Sequence, residues 1–171
     1  MNKFKIDSSV LTWLGDKVPA FGRLSNEDKI AIFDFSILWS FFEGTKLNGR
    51  ANVSTLRSFV NKLEKNGKID SIELHDYVEY LRDRYVRGES HTEKYHLLYL
   101  SRSGSPSEVE RMLKNKDSSH KINLTAALII IFRLRNNLFH GEKWSSELQG
   151  QFSNFKKAAE MLMKLMNLES T

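Results

Sequence analysis

The chain has no cysteine, two prolines and nine glycines among its 171 residues. The first absence excludes thiolate nucleophiles, disulfides and cysteine-ligated metals, and it suits a reducing compartment. Scarce proline and glycine remove the punctuation of a turn-rich β-protein and favour long helices. Low-complexity tracts, internal repeats and long blocks of like charge are also missing. No apolar stretch approaches the roughly 20 residues of a membrane span, and Met1 to Asp7 does not read as a signal sequence. A soluble cytoplasmic protein with no membrane partner is the expectation.

What is present is a modest basic excess, with 26 Lys and Arg against 21 Asp and Glu, a formal charge of +5 and a pI near 9.4. This favours polyanionic partners slightly, but the basic residues are dispersed, and a solvated lysine-rich surface explains them as well. A chain of this length is expected to form one domain, residues 1–171, burying about 70% of its unfolded surface.

Hydrophobic spacing predicts an all-α, compact helical bundle of about five to seven helices. Ser25-Asn26-Glu27-Asp28 reads as a capped helix start. The helix it opens carries Ile30, Phe33, Ile37, Leu38, Phe41 and Phe42 and is expected to end at Gly44. Its apolar face is wider than one stripe, as in a central helix. Gly44 to Asn52 reads as a loop. Leu56, Phe59, Val60 and Leu63 mark an amphipathic helix that stops at Asn66-Gly67. Leu74, Tyr77, Val78, Leu81 and Tyr85 mark another that stops near Gly88. A shorter helix is expected around Tyr95 to Leu100, and a further one opened by Ser105 as cap and Pro106 in the first turn. Lys116 to His120 reads as a polar connection. Ile122 to Leu134 is apolar on nearly every side and predicts a buried helix closed by Gly141. Leu148, Phe152, Phe155, Ala159, Leu162 and Met166 mark the last helix.

The chemistry concentrates where the apolar run ends, at Arg135-Asn136-Asn137-Leu138-Phe139-His140-Gly141. A buried helix ending in a cation, two carboxamides and an imidazole must offer those groups polar partners, since an unpaired buried polar group costs about 1–3 kcal/mol. Arginine presents a planar fork suited to phosphate oxygens, and histidine exchanges a proton near neutrality. RNA cleavage without a metal needs little else, because the ribose 2′-hydroxyl is the nucleophile. On an ideal helix Arg135 and His140 lie roughly 140° apart, whereas Asn136 and His140, four residues apart, share a face. Convergence of Arg135 and His140 on one phosphate therefore calls for a loosened last turn, a reaching arginine, or two copies of the segment about a two-fold axis. The all-round apolar helix fits a dimer interface and an ordinary core helix alike. Cations near a helix C-terminus are also common as simple dipole partners.

Arg135 to His140 resembles the R-x-x-x-x-H signature of the HEPN superfamily, and RNNLFHG is close to the form of many bacterial members. Phe35 to Glu43 resembles the aromatic-rich early helix of these proteins, in which a W-x-x-x-E arrangement is common, here Trp39 and Glu43. The two segments match in order, while 44–116 has no counterpart that we align. The resemblance implies a helical, dimeric, metal-independent and cofactor-free endoribonuclease of toxin–antitoxin or anti-phage systems. RNA is then the substrate, with a cognate antitoxin or defence-system protein as a further partner. Arg135, His140 and Asn136 are the implied catalytic residues, with Glu43 and Asn137 in support. The alternatives are a non-catalytic HEPN-like module binding nucleic acid or protein, and a structural dimer whose polar cluster sets register.

Other candidates carry plainer expectations. Asp34 is expected on an exposed face, and His75 and His120 at the surface or in caps. His91, Glu93 and His96 lack the four-residue spacing that puts two imidazole ligands on one face. Tyr77, Tyr80, Tyr85, Tyr95 and Tyr99, with Arg82, Arg84 and Arg87, suit nucleic-acid stacking, but a core stripe backed by a charged face is favoured.

Overall fold

A computed structural model of the chain describes residues 9–104, 106–115, 117–139, 148 and 150–168. Among these, the fold is all-α, with nine helices in the order α1 Ser9–Lys17, α2 Pro19–Gly22, α3 Asn26–Lys46, α4 Val53–Lys65, α5 His75–Tyr85, α6 Glu93–His96, α7 Ser107–Lys114, α8 His120–Phe139 and α9 Phe152–Asn167. The helix count exceeds the expected five to seven because α1 and α2, short and without a strong apolar period, precede Ser25. A two-residue hairpin, β1 (Val86–Arg87) and β2 (Ser90–His91), turns at Gly88 in the left-handed region.

Local chemistry sets most boundaries. Ser25 accepts from the Asp28 amide while the Asp28 carboxylate accepts from the Ser25 amide, a reciprocal cap that starts α3. Asn52 and Thr55 do the same for α4. The end of α3 lies beyond the expected Gly44, at Lys46, and nothing lies within 4 Å of a Cβ placed on Gly44. The chain then turns through Asn48 and Gly49, both with positive φ. The segment expected as one helix over 95–100 is α6 followed by a 3-10 turn at Leu100–Ser103, separated by Tyr99 at φ 51°. Pro106 is itself the cap residue of α7, which starts one residue later than expected, and Ser105 lies outside the described residues.

At the centre runs α8, with Leu124 to Ile131, Leu134 and Leu138 all buried. α8 packs against α4 and α7, while α3 packs along α9. One continuous apolar cluster extends from Phe21 to Leu165. By length and hydropathy α8 does reach what a membrane crossing needs, contrary to the reading of the sequence, but 67% of its apolar window is buried by the rest of the chain. It is a core helix, and its apolar sides are already covered.

α3 explains the wide apolar face of its sequence. Ala31, Phe35, Trp39 and Phe42 are buried in the core. Phe33, Ile37 and Phe41 are 56%, 55% and 59% exposed. Residues two apart on a helix point about 200° apart, so Phe33 and Ile37 lie nearly opposite Phe35 and Trp39. The helix carries two apolar stripes, and the core covers one of them.

Candidate functional site

The C-terminal turns of α8 present two polar faces. One is formed by Phe132, Arg135, Asn136 and Phe139, which share a side by their three- and four-residue spacing, and it meets α3. The Phe132 ring lies 6.0 Å from that of Trp39. One turn on, the Arg135 Nη2 atom stands 3.4 Å from Oε2 of Glu43. The same Oε2 accepts from the Trp39 indole N–H at 2.7 Å, and Oε1 accepts from the Ala51 amide at 3.1 Å. Glu43 is thus fixed by its own helix on one oxygen and by the turn before α4 on the other. This is the W-x-x-x-E pair in physical terms. The indole holds the carboxylate, and the carboxylate faces the guanidinium.

Arg135 is held but not saturated. Its Nη1 donates to Oδ1 of Asn136 at 3.0 Å, and its Cζ lies 5.3 Å from the Phe139 ring centre. Its Nε is buried without a hydrogen-bond partner among the described residues. The side chain is 29% exposed and that of Glu43 17%, so the pair sits at a rim and not in the core. Phe139 is largely exposed beside it. The arrangement offers an oriented, partly exposed guanidinium next to an open aromatic face. His140 and Gly141 lie outside the described residues, so the position of the imidazole relative to Arg135 and Asn136 is not described.

The opposite face of the same turns is closed. Arg133, 4% exposed, donates from Nε to the Leu98 carbonyl at 2.8 Å and from Nη2 to Oδ1 of Asn137 at 3.0 Å. Asn137 in turn donates to the Leu97 carbonyl at 2.8 Å. Together they clasp α8 to the segment after α6. Asn137, expected in support of the site, faces away from Arg135 because residues two apart on a helix point about 200° apart. Asn136 is on the Arg135 side, where its oxygen orients the guanidinium. The sequence reading missed Arg133 and Phe139. The pattern Arg133-x-x-x-Asn137 signals a shared face, whereas the Leu97 and Leu98 carbonyls have no side-chain signature.

The remaining candidates serve the fold. Asp34 and His75 are exposed. The His120 ring contacts the Ile72 carbonyl at 2.9 Å where α8 begins. Arg82 donates to the Met112 and Asn115 carbonyls at 2.9 and 3.0 Å and caps α7. Arg84 donates to Gln151 at 3.0 Å. Tyr77 and Tyr85 are buried. Burial raises the Tyr77 hydroxyl well above its ordinary value and pushes Tyr80 up to about 12, so neither exchanges protons near neutrality. His91 stacks on Tyr95 at 3.8 Å, and both face Glu110. No grouping of three or more metal-ligating side chains occurs among the described residues.

The chain was compared with family models, curated proteins and solved structures, and none matches.

Proposed function

We propose that the protein is a metal-independent endoribonuclease of the HEPN type, cytoplasmic and acting as a homodimer in a toxin–antitoxin or anti-phage setting. The observation that supports this best is the Trp39–Glu43–Arg135 chain of contacts. It joins the two sequence segments that carry the resemblance, 92 residues apart between Glu43 and Arg135, and leaves the Arg135 side chain partly exposed at a rim. A guanidinium so placed neutralises the crowded phosphate of a cleavage transition state, where preorganised charge contributes most. Glu43 and Asn136 act as positioning residues. They fix the plane of the guanidinium so that little reorganisation accompanies phosphate binding.

The proton transfers fall to His140. In this mechanism one imidazole accepts the 2′-hydroxyl proton as that oxygen attacks phosphorus, and an imidazolium donates to the departing 5′-oxygen. The products are a 2′,3′-cyclic phosphate and a free 5′-hydroxyl. A second copy of the segment supplies the second histidine. α8 is covered by its own chain, so such a dimer has to form around the rim and not along the greasy length of that helix.

The test is incubation of purified protein with RNA in excess chelator. The expected result is cyclic-phosphate ends with wild type and none with His140→Ala, whose helical circular dichroism stays unchanged. Binding of RNA without cleavage, together with a His140→Ala variant indistinguishable from wild type, would establish the non-catalytic module instead. Activity lost to chelator and restored by magnesium would also overturn the proposal.

A further inference from the structure

The second apolar stripe of α3 does not stand alone. With the flank of α9 it walls a groove of about 610 Å³, floored and sided by Ile30, Phe33, Ile37, Phe152 and Met163. Phe33, Ile37, Phe152 and Met163 are all among the exposed large hydrophobics of the fold. Contiguous exposed apolar surface of this kind marks an interaction site more often than an accident of composition. From Glu27 to Leu38 the α3 wall runs about three helical turns, the length over which an amphipathic helix presents apolar residues at i, i+3 or i+4, and i+7.

The charges around the groove indicate what covers it. In a chain of net charge +5, the ionised residues lining this groove are Glu27, Asp34 and Glu160 against Lys156 alone. Lys156 leans over the Phe152 ring, 5.8 Å from its centre. The groove is an acidic patch on a basic protein. RNA is repelled there by its phosphates. A second copy bound about a two-fold axis places the same carboxylate surplus against itself, and like charges brought together at an interface are costly. A helix with an apolar face and lysine or arginine flanks satisfies both the apolar wall and the acidic border.

We infer that the α3–α9 groove is a docking site for an amphipathic helix of a protein partner, with basic residues flanking its apolar face. The site is separate from the Arg135 rim, and the inference does not depend on ribonuclease activity. Phe33 and Ile37 supply the apolar anchor, while Asp34 and Glu160 set the charge preference.

The experiment uses the full chain and two synthetic peptides with the same leucine pattern, one with lysine and one with glutamate on the flanks, followed by fluorescence polarisation. The Leu/Lys peptide is expected to bind saturably and at least about tenfold more tightly than the Leu/Glu peptide, with the advantage shrinking as salt rises. The Phe33→Ser, Ile37→Ser double variant is expected to lose at least about tenfold in affinity, and these exposed positions leave the circular dichroism and melting temperature close to wild type. The milder Asp34→Lys variant, which preserves the apolar wall, is expected to reduce the preference for lysine flanks. Equal affinity for the two peptides, no binding of the Leu/Lys peptide, or binding insensitive to Phe33 and Ile37 overturns the inference. So does sedimentation showing a wild-type dimer that Ile37→Asp splits, because the occupant is then a second copy.

Discussion

Within five residues of one helix the chain places two arginine–asparagine pairs. Arg133 and Asn137 are buried, spend their donors on the carbonyls of Leu97 and Leu98 and on each other, and hold α8 to its neighbour. Arg135 and Asn136 use the same functional groups at a half-open rim, against Glu43, with the buried Nε lacking a partner among the described residues. The difference lies in satisfaction and exposure, not in residue type. A guanidinium buried with its donors spent on a backbone carbonyl and a carboxamide has nothing for a ligand, whereas one held by a fixed carboxylate and a carboxamide at a partly exposed rim is oriented and still faces solvent. Two Arg–Asn pairs in one helix therefore do not amount to two candidate sites.

Substitutions separate the two pairs by what they change. The largest expected effect is on activity at the open pair. If the ribonuclease reading holds, Arg135→Ala lowers RNA cleavage by about 10²–10³, in the range seen when a transition-state donor is removed, and shifts the melting temperature only slightly. A cleavage rate within threefold of wild type would remove Arg135 from the chemistry. Next comes stability at the closed pair. Arg133→Ala is expected to cost about 2–4 kcal/mol in urea unfolding, from lost packing of the stem and from acceptors left buried without donors. A cost below about 0.5 kcal/mol, the scale of ordinary surface changes, would show that the clasp is not structural.

Glu43→Gln probes the joint between the faces more gently. It retains the shape and one acceptor for Trp39 but removes the charge facing Arg135. Cleavage is expected to fall about tenfold while stability falls by no more than about 1 kcal/mol, as for a partly exposed ion pair. A fall in kcat at constant KM identifies positioning, and a purely structural role moves stability alone.

The smallest effect belongs to an exposed pair that serves as reference. The hydrogen bond from Arg57 holds the Glu108 carboxyl below its ordinary value near 4.5, with burial opposing it. A depressed folded-state pKa means the stabilisation is whole above that ordinary value and fades as pH falls through the folded one. Arg57 is about half exposed, so Glu108→Gln is expected to cost no more than about 0.5 kcal/mol at neutral pH and nothing in strong acid. A pH-independent cost would point to packing in place of charge.

Much of this architecture was legible in the residues. α4 carries buried Leu56, Phe59, Val60 and Leu63 as their spacing predicts, and α9 follows its period from Phe155 onward. The serine and asparagine caps mark where α3 and α4 begin because their hydrogen bonds are local in sequence. α3 itself was only half legible. Its two apolar stripes look alike in one dimension, and only packing reveals that Phe35 is covered while Phe33 is not. The resemblance placed Glu43 in support of the late-helix residues without fixing Arg135 as its partner, since spacing alone cannot pair residues that far apart. The Arg133–Asn137 clasp and the Ala51 amide were out of reach, because backbone groups are the same at every position.

That amide has a consequence for how the rim is governed. The residues between Glu43 and Ala51 include Asn48 and Gly49, both in the left-handed region, and the Gly49 N–H returns to the Glu43 carbonyl at 2.9 Å. The carboxylate that steadies the candidate guanidinium is therefore anchored to a tight bend whose shape depends on two unusual torsions. Lengthening or stiffening that bend would let go of one oxygen of Glu43 and change the aim of Arg135 from a distance, without touching either side chain.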